Sequence, residues 1–340
     1  MRIILIGFGT VGKSVCELLI ERKEELVKKH GFEPRVIAIT DTKGAVIDEK
    51  GLNLKDVLEA KKKSSVANIP EKGIEGKSSK EVIEELDAEV VIETTPTDIE
   101  SGEPAMSHIE TAFKTKKHII TANKGPFAIA YPALMDLAKY NNKMLKFSAA
   151  VGGGTPMLEF GKKCLEADRI TQIDGILNGT TNYILSEMDQ KGISFDQALQ
   201  QAKELGYAEA DPKLDINGSD AAAKLVIMAN FLLGKEITLK DLEIEGITNI
   251  TSEDIVEAKK ENKIIKLVAR IGDTEKEKPC VKPIKLERTD PMAVLGALNS
   301  VKFVSEFAGE EIIIGKGAGG HETASSILRD LLDIKNNMMV

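Results

Sequence analysis

Two hydrophobic rhythms alternate along the first 140 residues. Residues 2–6 are an apolar, isoleucine-rich run that stops at Gly7. From 11 to 30, Val11, Val15, Leu18 and Leu19 recur on one face at helical spacing, so one helix with a charged tail is expected. Residues 35–40 return to an apolar run. Strand, tight turn, helix and strand in that order make a βαβ unit. Residues 52–87 are rich in lysine and glutamate and broken by Ser64, Ser65, Pro70 and Gly73, which predicts short helices and a mobile loop. The alternation then resumes. A strand at 89–93 closes in Thr94-Thr95-Pro96-Thr97, a helix covers 106–116, a strand at 117–121 closes in Asn123-Lys124-Gly125-Pro126, and a helix covers 132–140. Such an order implies a parallel sheet covered on both faces.

The pattern changes after residue 140. A strand at 144–151 is expected to run into Gly152-Gly153-Gly154-Thr155-Pro156, and a helix to follow, with Thr155 as its cap and Pro156 in its first turn. A strand at 170–177 ends at Asn178-Gly179-Thr180-Thr181. Helices are read at 182–190, 194–205 and 219–233, and strands at 264–271 and 280–286, where Pro283 suggests a sheet edge. A last strand at 311–314 leads through the glycines of 315–320 to a helix at 322–332. The predicted fold class is therefore α/β. A Rossmann-type doubly wound parallel sheet occupies 1–140, a mixed α/β domain with an open sheet occupies 141–305, and the segment 306–340 packs back on the first domain.

Composition narrows the function classes. A chain of 340 residues exceeds the size at which one core usually stops growing. Hydrophobic residues at 42% and charged residues at 29% exclude a disordered chain. The net charge of −8 argues against nucleic acid, which needs a basic face. Cys16, Cys164 and Cys280 are far apart, odd in number and in no CxxC pair, as for reduced thiols in a cytoplasmic protein. No apolar stretch reaches the roughly 20 residues of a membrane span, and the chain enters a strand at once, so neither membrane nor leader segment is expected. His30, His108, His118 and His321 have no metal-ligand spacing, which makes a zinc site unexpected.

Gly7-Phe8-Gly9-Thr10-Val11-Gly12 places a GxGxxG at the first strand–helix turn. Gly7 permits the tight turn, Gly9 lets the backbone approach a pyrophosphate, and Gly12 lets helix and strand pack closely. The phosphates then meet free N–H groups at the helix start. Asp41, at the end of the second strand, could grip the ribose 2′-OH of NAD, while Lys43 would favour the 2′-phosphate of NADP; both are also ordinary turn residues, and the choice stays open. Thr94 and Thr95 follow a parallel strand, where hydroxyls could meet the cofactor or simply flank a proline turn. Lys124 ends the next strand in the same way. The most informative stretch is 206–224, which carries Glu209, Asp211, Asp215, Asp220 and Lys224. Asp220 and Lys224 are four apart on one helix face. The helix continues as Leu225, Val226, Ile227, Met228, Ala229, Phe231, Leu232 and Leu233 with no polar face, so the pair heads a buried stripe rather than a solvated one.

GFGTVG at 7–12, TANKGP at 121–126, AAVGGGTP at 149–156, ILNGTTNYIL at 176–185, GYAEADPKLDINGSDAAAK at 206–224 and GKGAGG at 315–320, in order through nearly the whole chain, closely resemble homoserine dehydrogenase. The resemblance implies interconversion of L-aspartate 4-semialdehyde and L-homoserine with NAD or NADP, in threonine and methionine biosynthesis. It also implies a homodimer with a nucleotide-binding domain and a substrate and dimerisation domain. By the same resemblance Lys224 is the proton donor to the aldehyde oxygen, Lys124 lies between nicotinamide and substrate, and Glu209, Asp215 and Asp220 hold substrate and lysine. Gly179 and Thr180 match a substrate-binding turn, and Gly317 falls in a cofactor-binding glycine run. The chemistry is coherent: a lysine, with a reference pKa of about 10.4, is protonated at neutral pH, and a neighbouring carboxylate keeps it charged. No thiol is needed, because no thioester forms. Two departures matter. The family often has a glutamate before its VGxG loop that contributes to a sodium site; here Ser148 stands there, so a sodium ion near Val151, Gly153 and Thr155 would rest on backbone oxygens. Longer members carry a regulatory domain or a fused kinase, and the chain ends at Val340 with neither, so threonine feedback through such a domain is not expected.

Overall fold

The computed structural model describes residues 1–272, 274 and 277–338. It divides into two compact units. Met1–Ala150 and the chain from Gly319 onward form one; Val151–Ala318 form the other.

The first unit runs β1 (Arg2–Ile6), α1 (Thr10–Glu21), α2 (Lys23–His30), β2 (Arg35–Asp41), β3 (Gly44–Ile47), α3 (Leu54–Lys63), β4 (Gly73–Glu75), α4 (Ser79–Glu85), β5 (Val90–Glu93), α5 (Ala105–Lys114), β6 (His118–Thr121), α6 (Gly125–Tyr140) and β7 (Leu145–Lys146). The sheet order is β4-β3-β2-β1-β5-β6-β7. β2, β1, β5, β6 and β7 are parallel; β3 and β4 extend one edge antiparallel. β1 is central, and its Ile3, Ile4, Leu5 and Ile6 are wholly buried, as a strand covered on both faces requires. The chain passes from β1 to β2 on one side and reaches β5 on the other. The strand order thus reverses at β1, and ligands of such sheets sit beyond the carboxyl ends at this switch point.

Three expectations are corrected here. The single helix over 11–30 is two, because Arg22 leaves helical geometry (φ −93°, ψ 6°); after Leu19 the next wholly core-facing residue is Leu26, so nothing apolar holds the chain on one axis between them. The stretch read as a mobile loop contains β4, paired with β3. The strand over 144–151 stops at Lys146, because the amide and hydroxyl of Ser148 donate to the Asp330 carboxylate (3.1 and 2.6 Å) and turn the chain away from the ladder.

The second unit runs α7 (Met157–Glu159), β8 (Ile170–Ile176), α8 (Gly179–Lys191), α9 (Phe195–Glu204), α10 (Lys213–Ile216), α11 (Ser219–Leu233), β9 (Glu243–Ile244), α12 (Ser252–Lys260), β10 (Lys263–Gly272), β11 (Cys280–Glu287), β12 (Leu298–Ser305) and β13 (Gly309–Lys316). Its sheet order is β13-β12-β8-β10-β11-β9. β13, β12, β8, β10 and β11 pair antiparallel with one another, and β9 pairs parallel with the start of β11. Pro283 lies on β11 beyond the two residues that β9 covers, where no ladder amide is needed on that side. Thr155 does not cap a helix. Its hydroxyl donates to the Lys316 carbonyl (3.1 Å), and α7 starts after Pro156 without a side-chain cap.

The chain returns to the first unit with α13 (Gly320–Met338). Ala324, Ile327, Leu331 and Ile334, spaced three, four and three apart, join Val15 and Leu19 of α1 in one core. The return falls at Gly319 rather than at 306, because β13 pairs with β12 along its whole length and stays with the second sheet. Among the described residues, no helix is long and apolar enough to cross a membrane.

Candidate functional site

In the second unit the acid–lysine stretch folds as the spacing requires. Gly218 enters α11 at φ +86°, and a Cβ there would press on Ile244 (3.2 Å). One turn into the helix, Lys224 is only 7% exposed. Its ammonium donates to Asp220 Oδ2 (2.7 Å) and to the Leu177 carbonyl at the end of β8 (2.6 Å). An ammonium has three donors, and the third has no partner among the described residues. Asn178 completes the cluster. It caps α8 by accepting from the Thr181 amide (2.9 Å), and its own amide nitrogen donates to Asp215 Oδ1 (2.6 Å) and Asp220 Oδ2 (2.8 Å). Burial, then the charge of Asp220, pushes the Asp215 carboxyl above its ordinary value, against the opposing pull of Asn178, Lys224 and Thr180.

The neighbouring residues serve this cluster unequally. Gly179 lets the start of α8 approach the Ala297 carbonyl, which a Cβ would meet at 2.9 Å. Thr180 donates its hydroxyl to the Tyr207 carbonyl (2.6 Å), tying α8 to the loop before α10. Glu209 lies exposed on that loop, outside the group formed by Asn178, Asp215, Asp220 and Lys224. Gly317 has a local reason to be glycine: a Cβ would fall 1.9 Å from Asn299 Nδ2, so the wholly buried Asn299 amide occupies that space. Gly153 in turn abuts the Gly317 backbone.

In the first unit the glycine turn is built for close approach. Gly7 has φ +87° and a Cβ there would lie 2.8 Å from the Thr94 carbonyl; at Gly12 it would lie 2.2 Å from the Gly7 oxygen. At Gly9 it would meet nothing, so that face of the turn is open, beside the side-chain-uncapped start of α1. Phe8 is buried, whereas Thr10 is exposed and Val11 half-buried. This is the cradle a dinucleotide pyrophosphate fits. Thr94 donates its hydroxyl to the Gly7 and Ile6 carbonyls (2.8 and 3.0 Å), and Thr95 donates to Glu93, so both hydroxyl protons secure the turns themselves. Asp41 is similarly engaged. It accepts from the Lys61 ammonium (2.6 Å), the Ser65 hydroxyl (2.8 Å) and the Lys43 and Val66 amides (2.9 and 3.2 Å). Burial raises this carboxyl, and those bonds more than reverse the effect, leaving it below its ordinary value. Four donors fill the roughly four acceptor positions of a carboxylate, and Lys43 itself is exposed. Lys124 is half-buried at the start of α6. Cys16 is held by burial, and then by Glu17, at a pKa of about 12, which rules it out as a nucleophile.

Sequence reasoning missed Asn178 and Glu93. Asn178 carried a visible signal, an asparagine directly before Gly-Thr-Thr at a helix start; Glu93 looked like the last residue of a strand.

A family model described as "Homoserine dehydrogenase, NAD binding domain" matches residues 7–148, and one described as "Homoserine dehydrogenase" matches residues 156–332. The homoserine dehydrogenase of Methanocaldococcus jannaschii is 46% identical over 99% of both chains. The NAD(+)-dependent homoserine dehydrogenase of Pseudomonas canavaninivorans is 35% identical over 98% of this chain and 96% of its own. A solved structure of a hyperthermophilic archaeal homoserine dehydrogenase in complex with NADPH superposes with a TM-score of 0.84 at 31% identity, covering 99% of this chain and 98% of that one. The chain belongs to the homoserine dehydrogenase family of NAD(P)-dependent oxidoreductases acting on a CH–OH group.

Proposed function

We propose that this protein reduces L-aspartate 4-semialdehyde to L-homoserine, reversibly, with Lys224 as the proton donor. The observation that carries the reading is the state of that ammonium: nearly buried, two of its protons fixed on Asp220 and Leu177, and one left for a substrate oxygen. A bound nicotinamide supplies the hydride in reduction and takes it in oxidation. The chain's own residues do the rest. Lys224 gives a proton to the oxygen that becomes the alkoxide as the carbonyl carbon is reduced. Asp220 aims the lysine through its 2.7 Å bond. Asp215, held at 2.6 Å by Asn178, offers its carboxylate to the substrate ammonium. Gly179 and Thr180 form the wall of the substrate turn, and Glu209 reaches the substrate only if its exposed loop folds inward.

The turn Gly7 to Gly12 would hold the dinucleotide, and Lys124 would serve its nicotinamide end. Asp41 is committed to Lys61, Ser65 and two amides, so it does not select NAD over NADP, and either cofactor is used. Thr94 and Thr95 act by shaping the turns, and Gly317 by its packing on Asn299. A sodium ion at Val151, Gly153 and Thr155 fits poorly. The Thr155 hydroxyl donates to Lys316, the Thr155 carbonyl accepts from the Met157 amide (2.8 Å), and the Ser148 hydroxyl donates to Asp330. No step is assigned to it. The homodimer implied by the resemblance belongs to the same reading.

The test follows absorbance at 340 nm with homoserine and NADP or NAD at alkaline pH. Lys224→Ala is expected to lose about 10²- to 10⁴-fold in turnover, the usual contribution of a positioned acid–base, while binding NAD(P)H as the wild type does. Unchanged turnover removes Lys224 from the role.

A further inference from the structure

We infer that Glu93, a residue the reaction chemistry does not call on, is a positioning residue that locks the two cofactor-facing turns of the first unit to each other. This rests on the proposed reading that those turns hold a dinucleotide. Glu93 ends β5 and is 0% exposed. Its Oε1 accepts from the Thr95 amide (2.9 Å) and the Thr95 hydroxyl, and its Oε2 accepts from the Thr121 hydroxyl at the end of β6 (3.0 Å).

The bonds continue into a closed circuit. Thr121 Oγ1 accepts from the Asn123 amide (3.0 Å), and the Asn123 side chain donates to the Thr95 and Pro96 carbonyls (3.3 and 3.0 Å). Asn123 Oδ1 also accepts from the Gly125 amide (3.0 Å) in the first turn of α6, so Lys124 is held from both sides. The chain therefore returns from Glu93 through Thr95, Asn123 and Thr121 to Glu93. His108 of α5 stands over the acid, Nδ1 3.6 Å from Oε1 and without a hydrogen bond of its own among the described residues.

A carboxylate buried this completely carries a desolvation cost that an apolar residue of similar volume would not. Two neighbouring strands already pair by their backbones, so holding β5 beside β6 does not require it. The circuit fixes something the ladder does not reach: the path of the chain beyond the strand ends, over Thr94-Thr95-Pro96 and Asn123-Lys124. Those are the carboxyl ends at which a doubly wound sheet binds its ligand.

The experiment compares NADPH and NADH binding, by fluorescence titration, with steady-state kinetics for wild type, Glu93→Ala, Glu93→Gln and Thr121→Val. If wild type binds neither dinucleotide, the functional reading fails and the inference with it. If wild type binds, Glu93→Ala is expected to raise cofactor Kd and KM about tenfold or more, to leave the homoserine KM within about twofold, and to be largely rescued by Glu93→Gln, which keeps an acceptor for Thr95. Thr121→Val keeps the volume, removes one link, and is expected to weaken cofactor binding about threefold or more, which keeps the test alive if Glu93→Ala does not fold. Cofactor binding within twofold of wild type in both Glu93→Gln and Thr121→Val together with Glu93→Ala, or equal losses for homoserine and cofactor, overturns the positioning role.

Discussion

Asn178 stands between two like charges. Its single amide nitrogen satisfies Asp215 and Asp220 at once, and the two carboxylates are close enough for Asp220 to push the Asp215 carboxyl upward on top of the effect of burial. The charged form of Asp215 is thus disfavoured in the folded protein relative to the unfolded chain. Above the ordinary carboxylate range that difference works against stability; as pH falls below it, both states are protonated and the difference vanishes. Asp215→Asn is therefore expected to unfold at a higher temperature than wild type near pH 7.5, with the gain fading toward pH 4. In the same variant the homoserine KM should rise about tenfold or more, since an amide no longer pairs with an ammonium. Thermal melts at the two pH values and a homoserine titration check both halves. A wild-type homoserine KM sinks the assignment of Asp215 to the substrate. Stability given up for binding is the usual signature of a functional acid.

At the scale of elements, the second unit turns on how α8 is held. Lys266 of β10 is wholly buried beneath it and donates to Asn182 Oδ1 (2.6 Å) and Ser186 Oγ (3.0 Å). Asn182 donates onward to the Val294 and Leu298 carbonyls, and the Gly296 amide donates to Ser186, so one lysine underlies both α8 and the loop beside Gly179. Burial lowers the Lys266 pKa to about 7, with Asp189 pulling it up and Arg288 down. The unfolded chain, with an ordinary lysine near 10.4, binds more protons between those two values. Stability contributed at this position therefore climbs as pH rises from about 7 to about 10, and the full burden remains below 7. Denaturant unfolding of wild type and Lys266→Met should show a difference that shifts in favour of wild type by on the order of a few kcal/mol across that window; a flat difference would mean the lysine is not buried as described. The sequence showed some of this architecture and hid the rest for a definable reason. Gly7, Gly9 and Gly12 and the Asp220–Lys224 spacing lie within single turns, so local pattern reveals them. β12 escaped because buried Asn299 and Ser300 and half-buried Lys302 interrupt its apolar rhythm. Ser148 with Asp330, Glu93 with Thr121 and Asn299 with Gly317 are pairs distant in sequence, and no periodicity announces them.

For the whole molecule, the decisive feature is that one unit is contiguous in the chain and the other is not. Val151–Ala318 interrupts a domain whose final helix is supplied by the far end of the sequence. α13 is a structural part of that domain rather than an appendage. Ile327, Leu331 and Ile334 are wholly buried among Val15, Leu19 and their neighbours, and at about 1.5–3 kcal/mol for each buried aliphatic side chain they amount to a large fraction of the 5–15 kcal/mol by which a domain is typically stable. Asp330 from the same helix also receives both Ser148 bonds, at the point where the chain leaves the first unit. A fragment of residues 1–150 should accordingly be unfolded or aggregated and bind no NAD(P)H. A chain in which 151–318 is replaced by a short glycine–serine linker, so that Ala150 leads directly toward α13, should fold cooperatively and bind the dinucleotide without turning over homoserine. Circular dichroism and a fluorescence titration distinguish the two. If the 1–150 fragment melts cooperatively and binds cofactor as the linked chain does, α13 contributes little, and the glycine turn with its own sheet is the complete nucleotide-binding fold.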